Sequence, residues 1–180
     1  MNIRILYIFS LVVFLMSCSE KQKNANDISL IKISYAPSFH TSAELLLNED
    51  ENYLIIKSTR KYIPIVKSDG ENIDNEEYIK QIAPVKDTLI NIQSEEVQKI
   101  NNIVSGFKKE DFSDAKFPDF DGMSTNILIV YKNKNIKVIQ PMNVPNDKQR
   151  ELLIALAKLS QSKVSTDNKV VMTSILSYLQ

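Results

Sequence analysis

Cysteine, histidine and glycine are scarce in this chain of 180 residues, which holds one Cys, one His and three Gly. The lone thiol, Cys18, leaves no second cysteine for an internal disulfide, so stability must come from packing. The lone imidazole, His40, excludes a His-rich zinc site and a two-histidine metalloprotease helix within one chain. Gly70, Gly106 and Gly122 are too scattered for a phosphate-cradling loop, a dinucleotide fingerprint or a Gly-x-Ser-x-Gly elbow. Excess charge of one sign is missing as well: 22 basic residues face 22 acidic ones. A balanced chain has little attraction for a polyanion, so no nucleic-acid partner is expected.

Long apolar runs are also few, and the main one is short. Arg4 precedes the stretch Ile5 to Met16, which ends in small Ser17 before Cys18. As helix this stretch would span about 18 Å, against a hydrocarbon core of about 30 Å. A charged start, a short apolar middle and a small-residue exit make an export signal rather than a membrane span.

Leu15-Met16-Ser17-Cys18 resembles the lipobox of bacterial lipoproteins: an aliphatic residue three before the cysteine, and a small residue directly before it. The resemblance implies cleavage after Ser17 and a diacylglyceryl group on the Cys18 sulfur. Residues 1–17 are then the signal peptide, and residues 18–27 a lipidated cysteine followed by a flexible tether. With two or three acyl chains the anchor would hold far more firmly than a single myristoyl. Ser19 stands where an aspartate would imply inner-membrane retention, which favours the outer membrane. Residues Ser19 to Asp27 carry no large apolar side chain, and such a tether reaches about 15 to 18 Å. No cofactor is expected beyond this covalent lipid.

Loss of the leader removes only Arg4 from the charge balance, leaving a formal charge of −1. The 153 residues from Ile28 to Gln180 are the right size for one core. Ile28 to Tyr35 alternates as a strand with Ile31, Ile33 and Tyr35 on one face, before Pro37 breaks the ladder. Ser42 to Asn48 and Asn52 to Thr59 read as a hairpin around the acidic turn Glu49-Asp50-Glu51. Arg60 to Val66 prolongs this strand or forms another, demoted toward an edge by Pro64, and Lys67 to Lys86 is an acidic excursion with a helical turn near Glu76 to Gln81. Asp87 to Gln93 is a short strand.

Ser94-Glu95-Glu96 opens the clearest helix, with Ser94 as its cap and Val97, Ile100, Ile103, Val104 and Phe107 as its apolar stripe. Ser124 to Tyr131 and Ile136 to Gln140 form a second hairpin, and the first of these strands, apolar on both faces, is expected to be central. Asn146-Asp147 caps a helix to about Leu159, Gln161 to Asn168 is a polar break, and Lys169 to Leu179 is a terminal helix. The expected class is α+β: an antiparallel sheet built from two hairpins, with two or three helices mainly on one face. The order hairpin then helix occurs twice, at 42–107 and 124–159, which is compatible with a diverged ββα duplication.

Chemistry-bearing clusters are sparse. His40 shares a loop with Ser38 and Ser42, but near neighbours seldom reach nucleophile–base geometry and no acidic orienter can be assigned. Glu76-Glu77 and Glu95-Glu96 read as solvated charges. Phe112, Phe117 and Phe120 are interleaved with acidic residues including Asp119 and Asp121. That stretch reads either as a connection pinned to the core by its rings or as a loop presenting Phe112, Phe117, Asp119, Phe120 and Asp121 to a protein partner. Asp119 to Gly122 lacks the ligand spacing of a calcium loop. The expected function is that of a membrane-tethered envelope lipoprotein acting as a binding or accessory module. Its alternatives are an envelope enzyme using carboxylates and an inhibitor or immunity-like lipoprotein with one tight protein partner.

Overall fold

The architecture grows outward from β1 (Ile28–Pro37), a strand paired on both sides, with β5 along its length and with a second strand over Leu30 to Tyr35. The computed structural model describes residues 27–38, 40–58, 86–117 and 122–180. The signal region with Cys18, the excursion, and Asp119, Phe120 and Asp121 lie outside them. On one side of β1 come β2 (Ala43–Asn48), β3 (Tyr53–Ser58) and β4 (Thr88–Asn91). On the other come β5 (Met123–Tyr131) and β6 (Ile136–Ile139). All pairings are antiparallel, in the order β4-β3-β2-β1-β5-β6.

Period-two alternation decides which face is buried. Ile31 stands between Leu47 and Ile129, Ile33 between Leu45 and Ile127, and Tyr35 between Ala43 and Thr125. Leu54 and Ile56 extend this face through β3, and all of these side chains are buried. Three helices cover the same face: α1 (Ser94–Ser105), α2 (Asp147–Lys163) and α3 (Thr166–Leu179). Val97, Ile100 and Val104 of α1, Leu152, Leu153 and Leu156 of α2, and Val171, Ile175 and Leu179 of α3 complete the core. The Tyr35 hydroxyl donates to the Leu153 carbonyl at 2.7 Å, so the largest buried side chain of β1 satisfies its polar tip on α2. The opposite face carries Leu89, Ile55, Leu46, Leu128 and Val138 in one cross-strand row, interrupted at its middle by Lys32, which pairs with Glu44 at 2.8 Å.

Four local expectations need correction. Pro37 does not break the ladder: it is the last residue of β1 and stands opposite Met123 of β5. The two middle strands are β2 and β1, and β5, though paired on both sides, lies one strand in from the edge, with Leu128 and Val130 on the half-exposed outer face rather than in a second core. The N-cap of α1 is Gln93, whose backbone N–H donates to the Glu96 carboxylate at 3.0 Å; Ser94 is already the first helical residue. The polar break after Leu159 is far shorter than expected. Helix α2 runs on to Lys163 and α3 begins at Thr166, because Ser160 bonds back to the Leu156 carbonyl inside the helix instead of ending it.

Gln149 shows how one side chain ties several elements. Its backbone N–H receives the Asn146 side chain as acceptor at 2.9 Å, and its own side-chain oxygen accepts from the Asn146 N–H at 3.0 Å. The remaining amide hydrogens go to the carbonyls of Asp111 and Ser113, fixing the short 3₁₀ turn Lys109–Phe112 against the start of α2. Asn168 acts likewise at α3, accepting from the Lys86 N–H and donating to the Lys86 carbonyl just before β4.

Candidate functional site

Three chain segments converge at the end of the sheet where β1 begins. The β2–β3 turn is one: Asn52 holds a left-handed φ of 53°, which asparagine tolerates better than most residues, and its carbonyl accepts from Ile92 at 2.9 Å. The β5–β6 turn is the second, where Lys134 has φ 68° and Asn133 accepts from the Asn135 N–H. The third is Asp27, whose carbonyl accepts from the Lys132 N–H at 2.8 Å. Helix α1 closes the fourth side.

Between them lies a polar cleft of about 340 Å³, with Asp27, Glu49, Asn101 and Lys132 in its wall. Glu49 is positioned by its backbone, since its N–H donates to Ser29 one step beyond the regular β1–β2 ladder. Its carboxylate then meets Asn101 of α1, whose amide donates to Oε2 at 2.5 Å. The other two atoms of the pair, Oε1 of Glu49 and Oδ1 of Asn101, are buried and accept no hydrogen bond from the described residues. Each is an acceptor, and an unpaired buried acceptor costs about 1 to 3 kcal/mol.

The electrostatics follow from this burial. Desolvation pushes Glu49 up to about 7; the Asn101 hydrogen bond and the Lys132 charge pull it down, while Asp50 and Asp27 add to the rise. Lys132 is itself held by Asp50, at 2.8 Å, and that hydrogen bond is the main reason its ammonium titrates higher than usual. Asp50 also accepts from the Ser29 hydroxyl at 2.7 Å. The cleft therefore contains an acid poised near neutrality beside a cation engaged elsewhere. The Asn101 amide donates to this carboxylate and so favours its ionised form.

A second hollow, of about 410 Å³, shares Ile28 and Ser105 with the first. Its wall is aromatic, from Phe107, Phe112 and Tyr131, with Asn133, Asn135 and Lys137 around it. Phe107 and Phe112 meet edge to face at 5.4 Å, and the Lys137 ammonium lies 5.8 Å from the Phe112 ring centre.

Of the loop residues singled out in the sequence, Phe112 therefore packs against the core, whereas Phe117 is 86% exposed. His40 is an exposed loop residue with its ring 5.8 Å from Tyr178. Glu96 is engaged by the Gln93 N–H and by Lys163 at 2.9 Å, contacts that lower its pKa. The sequence reading missed Glu49 and Asn101 as a site, because an acidic turn looks solvated and nothing local reveals that a helix fifty residues later seals it. Among the described residues, no three His, Cys, Asp or Glu side chains are grouped to hold a metal ion, and no helix is long and apolar enough to cross a membrane. Compared with models of protein families, with curated proteins and with solved structures, the chain matches none.

Proposed function

We propose that the chain is a lipid-anchored bacterial cell-envelope protein, favoured at the outer membrane, whose domain works by binding a ligand in the cleft around Glu49. The observation that carries this reading is the cleft itself, whose wall holds a partly buried carboxyl, Glu49, bonded to Asn101 and raised toward neutrality beside Asp27 and Lys132. A concave polar site containing a carboxyl of perturbed pKa has the form of a ligand-binding cleft. Asp27, at the end of the tether, lies in the cleft wall, so binding would take place on the side facing the anchor.

Two measurements test this. Fatty-acid labelling should mark the wild type and not Cys18→Ser, which should leave the membrane or remain an uncleaved precursor; equal labelling removes the anchor. A thermal-shift survey of small polar compounds on detergent-solubilised full chain should find stabilisers of the wild type that leave Glu49→Leu unmoved. If every stabiliser acts on both alike, the cleft is not the binding site.

A second reading has its own support. A carboxyl near 7 in a cleft suits general acid–base work, which favours the alternative of a carboxylate enzyme. Turnover of a cleft ligand, lost in Glu49→Gln, would replace the binding reading. An inhibitor or immunity-like lipoprotein would need a separate protein-binding surface, for which the exposed ring of Phe117 is the candidate contact.

A further inference from the structure

Strand β6 (Ile136–Ile139) is last in the order β4-β3-β2-β1-β5-β6, and among the described residues it pairs with β5 alone. Alternation along an antiparallel strand decides which of its backbone groups point away from that neighbour. The Asn135 carbonyl accepts from the Tyr131 N–H, so Asn135, Lys137 and Ile139 turn toward β5. Ile136, Val138 and Gln140 therefore turn outward. Gln140 shows the direction: its N–H donates to the Asp114 carboxylate at 2.7 Å, and its carbonyl accepts from the Ala115 N–H at 2.9 Å. The chain's own Asp114 and Ala115 thus begin to extend the sheet beyond β6 and go no further along it. The outward N–H and C=O groups of Ile136 and Val138 meet no partner among the described residues.

The side chains of this edge have a pattern of their own. Ile136 and Val138 stand opposite Val130 and Leu128 on the outer face, where they are 59% and 52% exposed. Lys137 stands opposite buried Ile129, so its side chain lies on the helix-covered side, in the wall of the aromatic hollow and with its ammonium over the Phe112 ring. No carboxylate among the described residues pairs with it. We propose that β6 takes up one more antiparallel strand, an extended segment of a partner protein that sets an acidic residue opposite Lys137 and apolar residues opposite Ile136 and Val138. Ile136 and Val138 would each exchange a pair of backbone hydrogen bonds with that segment. Lys137 then falls at the position without hydrogen bonds, where facing side chains come closest, so an opposite charge is favoured there and a like charge is not. This surface lies outside the reading of the Glu49 cleft and does not rest on it.

Charge and register disfavour a second copy of this chain as the occupant. A two-fold pairing centred on Lys137 sets Lys137 directly against its own counterpart. One centred on Val138 needs the outward groups of Gln140, which Asp114 and Ala115 hold. One centred on Ile136 reaches Lys134, whose left-handed φ of 68° is not extended backbone.

The test is a peptide titration of the isotope-labelled, detergent-solubilised full chain, followed by amide NMR and hydrogen exchange. The probe is a cyclic hairpin peptide whose free edge presents Val-Glu-Val with both valine N–H groups outward, since a pre-ordered strand avoids the entropy cost of extending a loose one. Bound probe should slow exchange at the Ile136 and Val138 amides and leave those of Lys137 and Ile139, already turned to β5, unchanged. At low salt it should bind about threefold to tenfold more tightly than a Val-Lys-Val counterpart, and Lys137→Glu should reverse that order. Val138→Pro removes an outward N–H and no bond to β5, so it should abolish binding, while Lys148→Ala, at an exposed pair on α2, should bind as the wild type does. If Val138→Pro fails to fold, the reversal in Lys137→Glu decides. The assignment is overturned if neither amide slows with probe at about 5 mM, or if the two probes bind alike. It is also overturned if the Ile136 and Val138 amides are already protected in the free chain, which would mean that the chain covers its own edge. A dimer seen by sedimentation and lost in Val138→Pro would make a second copy the occupant and overturn the partner proposed.

Discussion

Replacing Glu49 with glutamine keeps the size of the side chain and removes its ionisation, so its effect on stability should depend on pH with a definite sign. The folded carboxyl titrates near 7 and the unfolded one near 4.5. Between these values the unfolded chain has released its proton while the folded chain still holds one, so wild-type stability falls as pH rises through this window. The separation of roughly 2.5 pH units corresponds to about 3.4 kcal/mol at 1.36 per unit. The carboxylate is only partly shielded, and solvent screening reduces this to about 1 to 2 kcal/mol. Glu49→Gln should thus match the wild type at pH 4.5 and exceed it by about 1 to 2 kcal/mol at pH 8, or about 2 to 8 °C in Tm for a domain of this size. Urea unfolding followed by circular dichroism at pH 4.5, 6 and 8 reads the difference. Parallel curves at all three pH values would refute the burial argument, and a variant less stable at pH 8 would mean that the ionised form is well satisfied. A gain in stability with loss of ligand binding would be the trade-off typical of a binding group held in an unfavourable setting.

Gln149→Ala removes the reciprocal bonds at the start of α2 together with both carbonyl contacts to the 3₁₀ turn, so about 2 to 3 kcal/mol should be lost in urea. A loss below about 0.5 kcal/mol would show that water replaces the amide without cost. Glu96 has the opposite linkage to Glu49: its pKa is lowered by the Gln93 N–H and Lys163, so its contribution is present above pH 4.5 and fades as pH falls through the lowered value. Glu96→Gln should cost at most about 1 kcal/mol at pH 7 and nothing at pH 2; a cost that persists in acid would assign it to packing. Phe117→Ser should leave stability within about 0.5 kcal/mol and weaken any protein partner recovered by crosslinking from native membranes. Undiminished recovery would leave that ring without a binding role.

Much of the fold was legible in the residues themselves because it follows from local periodicity. Ile31, Ile33 and Tyr35 alternate, as do Ala43, Leu45 and Leu47, and all lie on the covered face. Val97, Ile100 and Val104 repeat at helical spacing and are buried, as are Leu152, Leu153 and Leu156. The same reasoning failed for the centre of the sheet. Strand order depends on which edges meet, and β5 and β1 pair across some ninety residues of intervening chain. The proposed site was hidden for the same reason. Each of its residues is ordinary in its own segment: Glu49 in an acidic turn, Asn101 on a helix surface, Lys132 in a polar turn.

The residue pattern by itself determined the strands, the helices, the choice of buried face and the lipobox-like tetrapeptide, because each of these is a property of neighbours in the chain. Tertiary structure alone decided that Glu49 is shielded, that Asn101 meets it and that Lys132 is occupied by Asp50. Desolvation and pairing are set by groups far apart in sequence, and only packing brings them within hydrogen-bonding distance.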